Sequence, residues 1–433
     1  MLKPISYNTA EGQNRVHSLI RRQLESSGRH EESVREILRR VRSDGDQALV
    51  QYGRQFDAPD LEVENLVTAA AEIEEAYARV SQDFLASLRK AADNIETFHA
   101  RQVPQSWITT RENGVILGQM VRPVDAAGLY VPGGKGGETP LVSSVLMNAI
   151  PARIAGVGRI VLATPPRHDG TVNPHLLVAA AEAGVSEIYK MGSAWAIGAM
   201  AFGTETVRQV DVVVGPGNIY VTLAKKMVAG IVGIDMVAGP SEVVVLADET
   251  ARASYMAADL LSQAEHDPLA TAVLITTSSR LAEDVARELA RQVEGLARKE
   301  AAAQSLEDNG LLLVVDSTDT AIAVANRIGP EHLEIVTADA WGLLPKIRHA
   351  GAVFLGPYTP EPVGDYIAGP NHVLPTMGTA RFSSALGVET FLKRSSLLAY
   401  TRTAFQEEAE DIIRLAETEG LGAHAQAVRI RMA

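Results

Sequence analysis

Four polar clusters in the second half of the chain carry residue types that can move protons or hold a cation. Pro330-Glu331-His332-Leu333-Glu334 sets a carboxylate beside an imidazole at the entrance of an apolar run. Successive residues of an extended chain point to opposite faces, so two such bases would aim in different directions. With ordinary pKa values of about 4.3 and 6.5 they suit water activation and proton relay near neutrality. A surface Glu beside a half-buried His would give the same pattern. Gln263-Ala264-Glu265-His266-Asp267 closes a helix that begins near Ala251. Gln263 and His266 share one face of it, and imidazole nitrogen and amide oxygen are both acceptable zinc ligands. A capping or solvated His at a helix end is the alternative there. The loop from Pro362 to His372 sets Asp365 and His372 among Gly and Pro, as fixed functional loops do. Glu419 and His424 stand near the C-terminus.

Composition narrows the chemistry. The 433 residues include no Cys, which removes thiolate zinc sites, iron–sulfur clusters and any Cys nucleophile. A metal must then be held by His, carboxylate or amide oxygen, and any covalent aldehyde chemistry would need another nucleophile. Lys plus Arg total 40 against 53 for Asp plus Glu, a net charge of -13, so neither nucleic acid nor an acidic membrane surface is favoured. The N-terminal stretch lacks the apolar core of a secretory signal. Charges interrupt every apolar stretch before the roughly 18 to 20 residues of a membrane span. A soluble cytoplasmic protein is expected.

Two glycine clusters follow apolar runs and precede helices: Pro132-Gly133-Gly134-Lys135-Gly136-Gly137 and Gly215-Pro216-Gly217-Asn218. Such turns aim backbone N–H groups and a helix N-terminus at an anion such as a pyrophosphate. Neither is a GxGxxG fingerprint, since Tyr220 replaces the third glycine of the second cluster, and Lys135 is followed by Gly136 rather than Ser or Thr. Each loop alone is equally compatible with an ordinary strand-to-helix turn.

The elements that must position these groups read as α/β. Val16 to Leu24, Glu32 to Val41 and Leu66 to Phe98 have the spacing of amphipathic helices, with Ser81 or Asp83 as a helix start. From about residue 115, apolar runs alternate with helical segments. The runs Gly128 to Val131, Arg159 to Ala163, Glu187 to Tyr189 and Val210 to Val214 form one series. Glu242 to Leu246, Ala272 to Thr276, Leu311 to Val315, Leu333 to Thr337 and Ala352 to Leu355 form a second. Strands followed by helices at this spacing predict parallel sheets covered on both faces. The expected organisation is a helical arm over 1–27, a discontinuous α/β domain from 28–129 and 243–385 carrying the catalytic and metal residues, a second α/β domain over 130–242 carrying the glycine loops, and a tail over 386–433. Both domains would be Rossmann-like but incomplete. The tail, with a helix from Ala404 to Glu417, is too small for a core of its own and must dock on something.

Taken together, Tyr130-Val131-Pro132-Gly133-Gly134, Gly215-Pro216-Gly217-Asn218, Ala238-Gly239-Pro240-Ser241-Glu242, Gln263 to Asp267, Pro330 to Glu334, Gly364-Asp365, Gly369 to Thr376 and Glu419-Gly420-Leu421 with His424 resemble the signature segments of histidinol dehydrogenases, in order along nearly the whole chain. The resemblance implies oxidation of L-histidinol through L-histidinal to L-histidine with NAD and one zinc per subunit. It implies Gln263, His266, Asp365 and His424 as zinc ligands that also meet the substrate, with Ser241, His332, His372 and Glu419 as further substrate contacts. Tyr130 and Asn218 correspond to nucleotide contacts. It also implies an intertwined homodimer whose shared site takes Glu419 and His424 from the partner. The family often has Gly-Gly-Ala-Gln-Ala-Ile where this chain has Gly192-Ser193-Ala194-Trp195-Ala196-Ile197, so Trp195 takes the place of a nucleotide-contacting Gln, either stacking on a ring or filling the pocket. The loop from Lys135 to Pro140 is longer than in some relatives. On residue chemistry, His332 is expected to accept the alcohol proton and Glu331 to activate water for the aldehyde step. A related dehydrogenase of another small alcohol, such as a sulfonated diol, or a silent metabolite-binding paralogue are the competing readings.

Overall fold

The computed structural model describes residues 2–21, 28–134 and 137–432. Parts of two expected features, the end of the Val16 to Leu24 helix and Lys135-Gly136 of the first glycine loop, lie outside the described residues.

Two parallel sheets form the larger of two compact units, residues 1–102 with 124–391. The six-stranded sheet runs Pro4–Ser6, Leu311–Val314, Thr271–Thr276, Glu242–Ala247, His332–Val336, Ala352–Leu355. All residues of its two middle neighbours, Glu242–Ala247 and His332–Val336, are buried. Alternation explains how one strand serves two cores: Val243 and Val245 pack on one face, Val244 and Leu246 on the other. The five-stranded sheet runs Glu187–Lys190, Arg159–Thr164, Ala126–Tyr130, Val212–Val214, Gly233–Ile234. The helices packed on it start and stop where the sequence provides caps. Asn173 accepts from the His175 N–H ahead of Pro174–Ala183, which ends at left-handed Gly184. Ser81 caps Gln82–His99 by accepting from the Phe84 N–H at 3.1 Å.

The domain grouping departs from expectation in three places. The helices Gly28–Asp44, Asp46–Phe56 and Gln82–His99 do not join the six-stranded half. Val34, Ile37, Val41 and Leu49 share a core with Val161, Ile197 and Val213, and Leu85, Leu88 and Ile95 share one with Leu129, Leu162 and Val214. An amphipathic pattern shows that a face is buried but not against what. The N-terminal segment is no separate arm: Pro4–Ser6 pairs with Leu311–Val314, and Val16 lies in a core of the six-stranded half. The C-terminal segment recruits strands from far upstream, so that 103–123 with 392–433 form the second compact unit. There Leu392–Ala399, Ile116–Pro123 and Trp107–Thr110 make an antiparallel sheet, and Arg402–Thr418 and Gly422–Met432 pack around Ala409, Ile413, Ala425 and Val428. Among the described residues no helix is long and apolar enough to cross a membrane.

Candidate active site

The two sheets of the larger unit present opposite ends to function. In the five-stranded sheet the chain starts at Ala126–Tyr130, winds out through Arg159–Thr164 and Glu187–Lys190, then returns to the other side of the first strand at Val212–Val214. The order therefore reverses between two neighbouring strands, and ligands of open α/β sheets bind outside the carboxyl ends at such a switch point. Both glycine loops leave from those two ends. Gly215, with φ of 115°, lies so close to the Tyr130 backbone that only a residue without Cβ fits.

A buried ion pair fixes that second loop. The Gly215 N–H donates to Asp235 Oδ2 at 2.9 Å, and its carbonyl accepts from Lys225 Nζ at 2.8 Å. Lys225 and Asp235 pair with each other, their side chains 3% and 1% exposed. Asn218 spends its side-chain oxygen capping the helix Ile219–Val228, accepting from the Tyr220 and Val221 N–H groups at 3.1 and 3.2 Å. The buried Tyr130 hydroxyl accepts from the Ser193 N–H at 3.0 Å. Trp195 is also buried, offset-stacked on Tyr52 and Phe56 with centroids 5.5 and 5.6 Å away, its Nε1 unpartnered. Its ring is thus engaged with the protein's own rings.

The acid–base residues gather instead at the N-terminal ends of the middle strands of the six-stranded sheet. One residue, Glu242, positions both expected bases through its backbone. Its N–H donates to Glu331 Oε2 at 2.9 Å, and its carbonyl lies 3.0 Å from His332 Nδ1. Glu331 and His332 are 6% and 4% exposed, which removes the surface-Glu alternative. Because Nδ1 faces that carbonyl and also Gln263 Oε1 at 3.2 Å, Nδ1 carries the proton. The buried Nε2 has no partner and keeps its lone pair for an incoming proton.

Burial dominates the electrostatics. It pulls the His332 pKa down to about 3, with the backbone bond to Glu242 opposing and His372 and His266 reinforcing. The same burial pushes Glu331 well above the usual carboxylate range against the Glu242 N–H, and the Glu242, Glu361 and Asp365 charges add to it. Asp365 rises to about 6 and His372 falls to about 4, each chiefly by burial. These are the shifts of a closed site rich in carboxylates.

Gln263 ends the helix Ala253–Ala264, fully buried, and His266 follows one turn on. Asp365 lies on the short helix Glu361–Tyr366, its Oδ1 3.8 Å from His372 Nδ1. The His372 ring reaches the five-stranded half, Nε2 lying 3.4 Å from Ser144 Oγ, and buried Asn371 fixes its loop by donating to the Met147 carbonyl at 2.6 Å. Ser241 stands half-buried just before Glu242–Ala247. The larger unit thus brings together Gln263, Glu331, His332 and, around a second focus, His266, Asp365 and His372. Glu419 and His424 belong to the other unit, at the end of Arg402–Thr418 and in the first turn of Gly422–Met432, both exposed.

Sequence reasoning missed Glu361, Glu242 and the Lys225–Asp235 pair. Glu361 is 2% exposed and contributes, with His266 and Asp365, one ligand atom each to a group lying within 4.8 Å of one another. Its four-residue spacing from Asp365 was the available signal. Imidazole and carboxylate at that separation, with a Glu361 Oε2 that is buried without a partner, fit a bound divalent cation such as zinc.

The family model described as histidinol dehydrogenase matches residues 20–432. A histidinol dehydrogenase of Desulfotalea psychrophila is 56% identical over 433 residues, the whole of both chains. One of Nitratidesulfovibrio vulgaris is 58% identical over 398 residues, 92% of this chain and 91% of that protein. The crystal structure of a histidinol dehydrogenase from Elizabethkingia anophelis superposes with a TM-score of 0.92 at 38% identity, covering 100% of this chain and 98% of that one.

Proposed function

Because the chain belongs to the histidinol dehydrogenase family, we propose that it oxidises L-histidinol through bound L-histidinal to L-histidine, as a cytoplasmic homodimer using NAD and one zinc per subunit. It is an oxidoreductase of histidine biosynthesis. The observation that carries the mechanism is the Glu242 backbone clamp, which leaves a neutral His332 with a free Nε2 beside a buried Glu331.

The balance is one alcohol, one water and two NAD giving one carboxylate, two NADH and three protons. In the first oxidation His332 Nε2 takes the hydroxyl proton as the carbinol hydride leaves for the nicotinamide. With no thiol in the chain, the aldehyde carbon must gain its hydroxyl from water, and Glu331 removes the water proton as it attacks. After His332 has released its first proton to solvent, the hydrate gives its one carbinol hydride to a second NAD while His332 accepts the hydroxyl proton. Burial makes Glu331 a stronger base once ionised, which suits it to take a proton from water. Gln263, His266 and Asp365, with His424 of a second subunit, would hold the metal. When bound, zinc supplies Lewis-acid anchoring for the substrate imidazole and amine. Ser241, His372 and the second subunit's Glu419 would complete the substrate contacts.

Tyr130 and Asn218 lie at the switch-point loops, which supports a nucleotide there; Trp195 would back that region by packing rather than by the hydrogen bond of a Gln. The dimer is supported by the second unit's exposed apolar surface, with Trp107, Ile108, Leu398, Leu415 and Ile430 between 52% and 67% exposed. The test is spectrophotometric: histidinol should yield two NADH per molecule consumed, with activity lost on chelation and restored by zinc. Absence of histidinol-dependent NADH formation overturns the proposal.

A further inference from the structure

Glu361 follows Pro360 and precedes Pro362 in a segment that reads as loop, yet it is among the most buried acids of the chain, 2% exposed. Its backbone is anchored, the N–H donating to Glu334 Oε1 at 2.9 Å. Its carboxylate is not. Oε2 is buried with no hydrogen-bond partner, and the nearest basic group to Oε1, His332 Nδ1, is 3.8 Å away and already spends its proton on the Glu242 carbonyl. An ionised carboxylate taken out of water costs several kcal/mol unless an opposite charge accompanies it. Among the described residues no Lys or Arg is paired with Glu361. What does lie beside it is His266 and Asp365, each offering a ligand atom within the same 4.8 Å group. Zinc–oxygen and zinc–nitrogen bonds are about 2.0–2.2 Å, so donors around one ion lie up to roughly 4 Å apart. A small adjustment of side chains brings the three to that spacing.

We propose that Glu361 is a ligand of the metal ion in the substrate-free protein, so that a single chain holds its zinc through His266, Glu361 and Asp365 without a donor from a second subunit. The inference rests on the zinc reading above and, for the substrate-free state, puts Glu361 where that reading has Gln263 and His424. It gives the buried carboxylate its missing counter-charge. It also separates two events that a shared site would otherwise merge: each chain can load metal within its larger unit, and His424 then serves the loaded site.

The test is zinc affinity of the substrate-free homodimer, by competition with a chromophoric chelator, for wild type, Glu361→Gln and His424→Ala. Glu361→Gln should bind zinc at least tenfold more weakly than wild type, while His424→Ala retains one zinc per chain with less than a tenfold loss. Cobalt(II) in place of zinc gives a second readout, because loss of a carboxylate ligand changes its visible absorption. Glu361→Asp, which keeps the charge on a shorter arm, should fall between wild type and Glu361→Gln, and it carries the test if the Gln variant does not fold. Wild-type zinc affinity with an unchanged cobalt spectrum in Glu361→Gln overturns the inference, as does complete loss of zinc from a folded His424→Ala. A wild-type protein that binds no zinc overturns the zinc reading itself, a distinct result.

Discussion

Asp235→Asn should leave the Lys225 ammonium stranded beneath the second glycine loop. The two side chains are 3% and 1% exposed, so water cannot replace the lost charge. Removing one partner of a buried pair costs about 3–5 kcal/mol, most of it the penalty for the charge left behind. Part of the cost is local: the carboxylate accepts from the Gly215 N–H at 2.9 Å and the Met236 N–H at 2.7 Å through different oxygens, and Asn keeps only one acceptor. Lys225→Met should cost a similar amount by leaving the carboxylate unpaired. The double variant carries no buried charge, so it should be less destabilised than the sum of the singles by at least about 2 kcal/mol. Urea midpoints, converted with the wild-type slope, measure all four corners of this cycle. Since the pair also holds both polar groups of Gly215, the double variant should bind NAD about tenfold more weakly, or about 1.4 kcal/mol, with kcat changed little. An Asp235→Asn cost below about 1 kcal/mol, or strict additivity in the double variant, would refute the reasoning.

Two further outcomes concern the site itself. The His332 pKa is about 3 when folded and 6.5 as a free group, so between those values only the unfolded chain takes up the proton; the residue's contribution to stability is complete above 6.5 and is lost as pH falls. In chelated protein, the stability difference between wild type and His332→Asn should therefore shrink by about 1.4 kcal/mol per pH unit below pH 6.5 and stay constant above it, as urea midpoints across pH will show; a difference independent of pH contradicts this. If His424 serves the partner's site, mixing inactive His332→Asn and His424→Ala dimers under exchange should recover about a quarter of wild-type activity, one working site in each mixed dimer. No recovery in demonstrably mixed dimers argues against donation.

What was legible in the sequence follows from how each element is buried. Glu242–Ala247 and Thr271–Thr276 are covered on both faces, so they read as unbroken runs of Val, Ile, Leu and Ala between polar turns. Trp107–Thr110 is exposed at all four positions, and Leu392–Ala399 carries Lys393, Arg394 and two serines. Neither strand has a face that must be buried, and Leu392–Ala399 pairs with Ile116–Pro123 across roughly two thirds of the chain, so no local pattern announced that pairing. At the site, Glu331 and His332 were recognisable as a chemical pair, whereas their burial depended on a neighbouring strand's backbone satisfying both. Glu361 was hidden for the converse reason: its flanking prolines read as exposed loop, while the short helix they begin turns its carboxylate toward Asp365 and His266.

The division of labour between the two buried bases is the centre of the mechanism, and the two half-reactions of Glu331→Gln measure it most directly. Supplied with NAD and histidinol, the variant should form histidinal at a rate near wild type; supplied with histidinal, it should form histidine about 10² to 10⁴ times more slowly, the usual loss for an acid–base group. Equal slowing of both half-reactions would contradict the assignment of Glu331 to water.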